Sequence, residues 1–245
     1  MTGTARPKDV RSLRAEIERW GATRPDMVLV APFMTYLLLL GLTDALPTSW
    51  QPVTITARGV LSLLLVGAFW RHLPPWGRPH WLIAIIGGVL CAWGWVAGQY
   101  AFDHLGLGGR LPGYPGQAVT VDPRDALGGK HLFVLTWVLR MSVAVIAVPV
   151  VEELFWRAFL LRALIQWNDF ERVPLGRFTW FSFVGTSLLS TLQHPDNWGV
   201  SILCWMVFNG VFYWTRSILC VVLLHGVTNL VLYAMVLRVR DWSFW

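Results

Sequence analysis

A chain of 245 residues that is 55% hydrophobic and 14% charged, with a mean hydropathy of +0.52, is too apolar to be a soluble domain of this length. Its formal net charge of +6 is the ordinary Lys and Arg excess of cytoplasmic loops. No basic patch interleaved with stacking aromatics stands on a soluble domain, which argues against nucleic acid as a partner and leaves a multi-pass protein whose surroundings are the lipid bilayer.

In chain order, residues 1–26 carry Arg6, Lys8, Arg11, Arg14, Arg19 and Arg24, with Leu13, Ile17 and Trp20 spaced as one face of a helix. Such a segment is predicted to lie on the cytoplasmic membrane surface as a basic amphipathic helix. A cleavable signal would place its apolar core soon after a short basic start, so the first span is expected to stay as an anchor. Apolar runs follow near 27–43, 54–70, 81–100, 131–148, 150–166, 178–193, 198–214 and 217–237. Each is about long enough to cross, or nearly cross, a hydrocarbon core needing roughly 20 helical residues. The runs are continuous rather than alternating, which excludes a transmembrane β-barrel. The predicted fold is all-α: a polytopic transmembrane bundle of about seven or eight helices forming one domain over 27–245, in the cell (inner) membrane.

An inside N-terminus places Arg71, His72 and Arg78 inside, leaves the turn from Asp44 to Pro52 without Lys or Arg, and keeps Arg162, Arg172, Arg177 and Arg216 cytoplasmic if the helices alternate. Arg238 and Arg240 fall outside on that count. One polar interruption, from about Asp103 to Lys130, is rich in Gly and Pro and reads as a lid or a loop. Its Gly106 to Gly109 stretch lacks the Lys-Ser/Thr ending and the preceding strand of a phosphate loop, so no nucleotide is expected. Cys91, Cys204 and Cys220 lie in apolar runs without CxxC spacing and read as core residues. The 16 Trp read as interfacial belts and packing.

Glu152 and Glu153 stand inside one of the most apolar stretches, Pro149 to Leu161. A charge at the centre of a bilayer helix costs at least about 2.5 to 3.5 kcal/mol, so intramembrane acids mark function. Pro149 suits a first helical turn, so the preceding span is predicted to break near Val148 and a new helix to start at Pro149, with both acids near its N-terminus. Glu153 and Arg157 are four apart and face each other, whereas Glu152 projects roughly 100° away. Glu153 is thereby the structural member and Glu152 is free to face a cavity. Two further polar groups occur downstream in apolar surroundings: Gln193-His194-Pro195-Asp196-Asn197, and His225 with Asn229 on one helix face. Three such sites in separate helices fit a polar active site enclosed by a bundle.

These residues resemble the type II CAAX prenyl endopeptidases and the bacteriocin-processing or immunity proteins grouped with them. The family's Glu-Glu-x-x-x-Arg motif is matched by Glu152, Glu153 and Arg157. Its Phe-x-x-x-His motif is matched at His194, with Ser190 in the Phe position, and its His-x-x-x-Asn/Asp motif by His225 and Asn229. The similarity covers roughly Val148 to Leu237, with a catalytic core at about 131–237. The compact size, Trp-rich spans and glycine-rich loop also resemble the subgroup that accompanies bacterial exosortase systems.

The resemblance implies an intramembrane endopeptidase in which Glu152 is general base on a water, assisted by His194, while His225 and Asn229 stabilise the oxyanion. Glu153 and Arg157 support the helix. It implies no cofactor on the favoured glutamate mechanism; zinc is the alternative, with Glu152, His194 and His225 as three ligands and water as the fourth. The partner implied is a membrane-anchored peptide or protein, prenylated or not. Two competing readings predict different behaviour. A non-catalytic binding or immunity protein would lose abundance rather than turnover when these residues are replaced, and a transporter would change flux without cleaving peptide.

Overall fold

The computed structural model describes residues 10–114 and 122–244. Among them there is no strand; eight helices, a one-turn helix at Pro123–Ala126 and short 3₁₀ turns make up the regular backbone. Helix α1 (Val10–Thr23) precedes the bundle, and its Ile17 packs against the core while Trp20 is exposed. The bundle comprises α2 (Pro25–Ala45), α3 (Gln51–Ala68), α4 (Trp81–His104), α5 (Lys130–Ala163), α6 (Trp180–Leu189), α7 (Trp198–Thr215) and α8 (Ile218–Val239). Five of these, α2, α3, α4, α5 and α8, are long and apolar enough to span a bilayer. Their outward side chains agree with that solvent: Leu38, Leu64, Leu82 and Leu90 are strongly exposed, which in water would form an unusual apolar belt and in lipid is the low-energy arrangement. The chain is an all-α, polytopic membrane bundle.

One predicted boundary is corrected. The runs at 131–148 and 150–166 form a single helix of 34 residues, and Pro149 lies within it. The chain continues because the turn before the proline is π-helical over Val143–Ala147, with the Val148 N–H donating to the Val143 carbonyl. A wider turn accommodates the proline ring and shifts the hydrogen-bond register by one residue. Glu152 and Glu153 therefore sit in mid-helix, far from any helix N-terminus, and their compensation comes from side chains rather than from a helix dipole. A second π-helical segment follows immediately at Leu154–Leu160. Joining the two runs also restores strict alternation, so Arg71, Arg78, Arg162, Arg172, Arg177 and Arg216 all fall at one end of the bundle.

Contacts between connections define the two ends. At the first, Glu18 of α1 meets His72 at 3.1 Å, the Leu219 N–H donates to the Trp76 carbonyl at 2.7 Å, and the Ser217 hydroxyl donates to the Arg78 carbonyl at 2.5 Å. At the second, the chain after α4 crosses the start of α7: the Leu111 N–H donates to the Pro195 carbonyl at 2.7 Å and Arg110 pairs with Asp196 at 2.8 Å. This crossing is the described part of the Gly/Pro-rich interruption; its residues 115–121 lie outside the described residues. The C-terminal turn joins the second end, where the Tyr100 hydroxyl donates to Asp241 at 2.7 Å.

Helix α8 occupies the centre, held against α4 and α5 by glycines. A Cβ at Gly88 would stand 2.7 Å from the Leu224 carbonyl, and one at Gly226 would stand 2.9 Å from the Val145 carbonyl. Only glycine permits backbones to approach this closely, which is the usual device where lipid supplies no hydrophobic force between helices.

Candidate active site

The polar residues of α5 divide into two groups that point in different directions. Glu153 and Arg157 are fully buried. Nη1 of Arg157 sits between the two carboxylate oxygens, donating to Oε1 at 3.1 Å and standing 2.9 Å from Oε2 at an angle too oblique for a hydrogen bond. The guanidinium lies over the rings of Trp205 and Phe208, 5.4 and 5.5 Å from their centroids. Its Nε and Nη2 have no acceptor among the described residues, and the aromatic faces take the place of further hydrogen bonds. Glu153 Oε1 also meets Nδ1 of His225 at 2.8 Å. That contact fixes the imidazole's orientation and leaves Nε2 for other partners.

Glu152, 2% exposed, turns away into a cavity of about 310 Å³. The amide of Gln193 donates to its Oε1. Its Oε2 is buried and has no hydrogen-bond partner among the described residues. An ionised carboxylate oxygen left without a donor is costly in a dry interior, and it marks the place where a bound group would be most strongly held.

The cavity wall carries His194, His225 and Asn229 together with Glu152, so the three sequence motifs meet in one enclosure. His194 begins the loop between α6 and α7. Its ring lies between Trp95 of α4 and Trp205 of α7, at centroid distances of 5.2 and 5.3 Å, and forms no hydrogen bond with the described residues. Those two tryptophans supply the aromatic cover at His194, and Ser190 does a different job. Its hydroxyl is fully buried, donates to the Ser187 carbonyl at 2.7 Å and meets Ser201 at 2.7 Å, tying the end of α6 to α7.

Asn229 is anchored by the irregularity of α5. Pro149 has no N–H and the Val148 N–H is spent on Val143, so the Ala144 carbonyl lacks a helical donor; Nδ2 of Asn229 donates to it at 2.7 Å. A side-chain amide has two N–H groups, and one remains for the cavity.

Several lining residues had no assigned role in the sequence reading. Gln193, Trp95 and Trp205 are among them, as are Tyr36 on α2 and Arg140 with Tyr233, which are joined at 3.1 Å across α5 and α8. Arg58 of α3, 4% exposed, places its guanidinium 5.4 Å from the Tyr36 ring centroid. Gln193 was legible as the neighbour of His194. Nothing separated Trp95 and Trp205 from the other tryptophans, because their importance depends on which helices they meet.

The zinc alternative can be tested against the residues present. Among the described residues, no group of three His, Cys, Asp or Glu side chains is placed to hold a metal ion. Glu152, His194 and His225 share the cavity, and the Glu153 contact at Nδ1 of His225 leaves its Nε2 open.

Residues 134–231 match the family model described as type II CAAX prenyl endopeptidase Rce1-like. The matched stretch contains Glu152, Glu153, Arg157, Gln193, His194, His225 and Asn229, whereas Tyr36, Arg58 and Trp95 lie outside it. No curated protein and no solved structure matches the chain.

Proposed function

Because the chain carries a domain of the type II CAAX prenyl endopeptidase family over residues 134–231, a family of membrane peptidases, we propose that it hydrolyses a peptide bond of a membrane-associated polypeptide with water activated by Glu152 and without a metal. The observation that carries this reading is the buried Oε2 of Glu152, without a partner among the described residues, on the wall of the cavity that also presents His194, His225 and Asn229.

Glu152 Oε2 accepts a proton from water as the water oxygen attacks the scissile carbonyl. Gln193 holds the other carboxylate oxygen and so fixes the carboxylate plane. The attack forms a tetrahedral intermediate with one oxyanion. Two donors face the cavity for it: the free N–H of Asn229 and Nε2–H of a protonated His225. The proton held by Glu152 then passes to the departing nitrogen as the C–N bond breaks, giving a carboxylate and an amine. His194, in its tryptophan slot, assists Glu152 in activating the water. The Glu153–Arg157 pair bears no substrate and sets the position of His225.

The test is cleavage of a panel of membrane-tethered peptides by purified protein in detergent, comparing wild type with Glu152→Ala at matched folding and with chelator present or absent. Cleavage that is lost in the variant and kept under chelation is the expected result. Cleavage that persists in Glu152→Ala overturns the assignment of the base. Cleavage abolished by chelator and restored by zinc overturns the metal-free mechanism.

A further inference from the structure

Among the described residues, the lining of the cavity runs from the middle of the bundle to one end of it. Its floor is made by Glu152, Phe208 and His225. His225 is seven residues after Ile218, about 10 Å from the start of α8 at the end that carries α1. From there the wall rises along α8 through Asn229 and Tyr233, and along α5 from Glu152 to Arg140, roughly 18 Å of helix in the direction away from α1. The rim is Pro195, Asp196, Asn197 and Phe244, all partly exposed, at the end where Arg110 meets Asp196. No lining residue comes from the 70–80, 164–179 or 215–217 connections at the α1 end. Helix α6 with its 3₁₀ extension ends at Leu192, too short to cross a bilayer, so the His194 loop dips inward and brings the rim toward the floor.

The two ends differ in cationic charge. The α1 end holds Arg14, Arg19 and Arg24 around α1, Arg71 and Arg78 after α3, Arg162, Arg172 and Arg177 around the end of α5, and Arg216 after α7. The rim end holds Arg110, Arg124, Lys130, Arg238 and Arg240; acidic partners occur at both ends, for Arg110 and Arg124 here and for Arg24, Arg71 and Arg172 at the α1 end. Loops rich in Lys and Arg stay in the cytoplasm, so the α1 end is the cytoplasmic one.

We infer that the site opens to the extracytoplasmic side, and that its substrates are polypeptides anchored in the membrane with the scissile bond presented beyond its outer face. A peptide still in the cytoplasm, prenylated or not, has no route to Glu152. The water consumed in hydrolysis enters by the same mouth. The term substrate rests on the peptidase reading above; the side of access rests on cavity shape and charge alone.

The experiment reads access without catalysis. In a chain with Cys91, Cys204 and Cys220 replaced by serine and expressed in a bacterial inner membrane, single cysteines are introduced as Arg124→Cys, Asn197→Cys or Arg172→Cys. A membrane-impermeant maleimide is expected to modify the first two in intact cells and the third only after permeabilisation. Modification of Arg172→Cys in intact cells, with the other two protected, overturns the orientation. An Asn197→Cys that stays unreactive before and after permeabilisation, while Arg124→Cys reacts, overturns the mouth. Should the cysteine-free chain fail to accumulate, epitope insertions after Asp125 or Arg172 in the natural chain answer the orientation by external proteolysis, expected at the first only; proteolysis at the second alone overturns it. Labelling in the expected order with no peptide cleaved would count against the peptidase reading and leave the access side standing.

Discussion

Two adjacent residues of α5 lead opposite lives. Glu153 belongs to a closed group in which its carboxylate meets Arg157 and His225, and the arginine is covered by Trp205 and Phe208. Glu152, one residue earlier, belongs to an open group in which a carboxylate oxygen, a histidine ring and half of an asparagine amide face empty volume. Both lie at membrane depth, where water cannot satisfy them. Charges matched by charges hold architecture, while polar groups left short of partners are where a substrate can gain binding and transition-state stabilisation.

Substitutions on the two sides should therefore fail in different ways, and the largest effect belongs to the closed group. Arg157→Ala leaves Glu153 buried with only His225 opposite. A loss of about 3 to 5 kcal/mol is expected, seen as a fall in the thermal midpoint of the detergent-solubilised protein together with loss of cleavage. Arg157→Lys should not restore either quantity, because a point-like ammonium cannot replace a planar guanidinium over Trp205 and Phe208. Next comes Glu152→Gln, which should reduce kcat by roughly 10² to 10⁴ and leave the thermal midpoint near that of wild type. If instead the midpoint collapses while residual activity tracks the folded fraction, the division between the two groups is wrong.

Asn229→Ala tests a residue that belongs to both. It removes an oxyanion donor and also strands the Ala144 carbonyl, at a cost of about 1 to 3 kcal/mol, so both turnover and melting should fall. Gln193→Ala should be milder, about tenfold in kcat/KM, the scale of one hydrogen bond to a charged acceptor. Smallest of all, chelation should leave the cleavage rate of the wild type unchanged, as read by a time course with and without chelator.

The local part of this site was legible without coordinates. Residues four apart on a helix share a face, so the pairing of Glu153 with Arg157 and the common face of His225 and Asn229 follow from spacing. The course of α5 was not. A proline in an apolar run reads as a break, and the π-helical turn that absorbs it is supported from outside: Asn229, 85 residues away, takes up the carbonyl that Pro149 cannot satisfy. Aromatic cover at His194 was equally hidden, since Trp95 comes from a helix distant in sequence and Trp205, on the very next helix, is marked out by no spacing that local periodicity fixes.

What the sequence determined by itself was the solvent, the helical class and the identity of the intramembrane polar residues, because each is a property of composition or of spacing within one helix. Only the tertiary structure decided that the cavity Glu152 faces also holds His194 and His225, which amide reaches Glu152 and toward which end the cavity rises. The reason is physical. Contacts such as Gln193 to Glu152 and His225 to Glu153 span 41 and 72 residues, and nothing in the local periodicity encodes them; they are fixed by how closely glycine-lined helices pack and by the need to satisfy every buried polar group once water is gone.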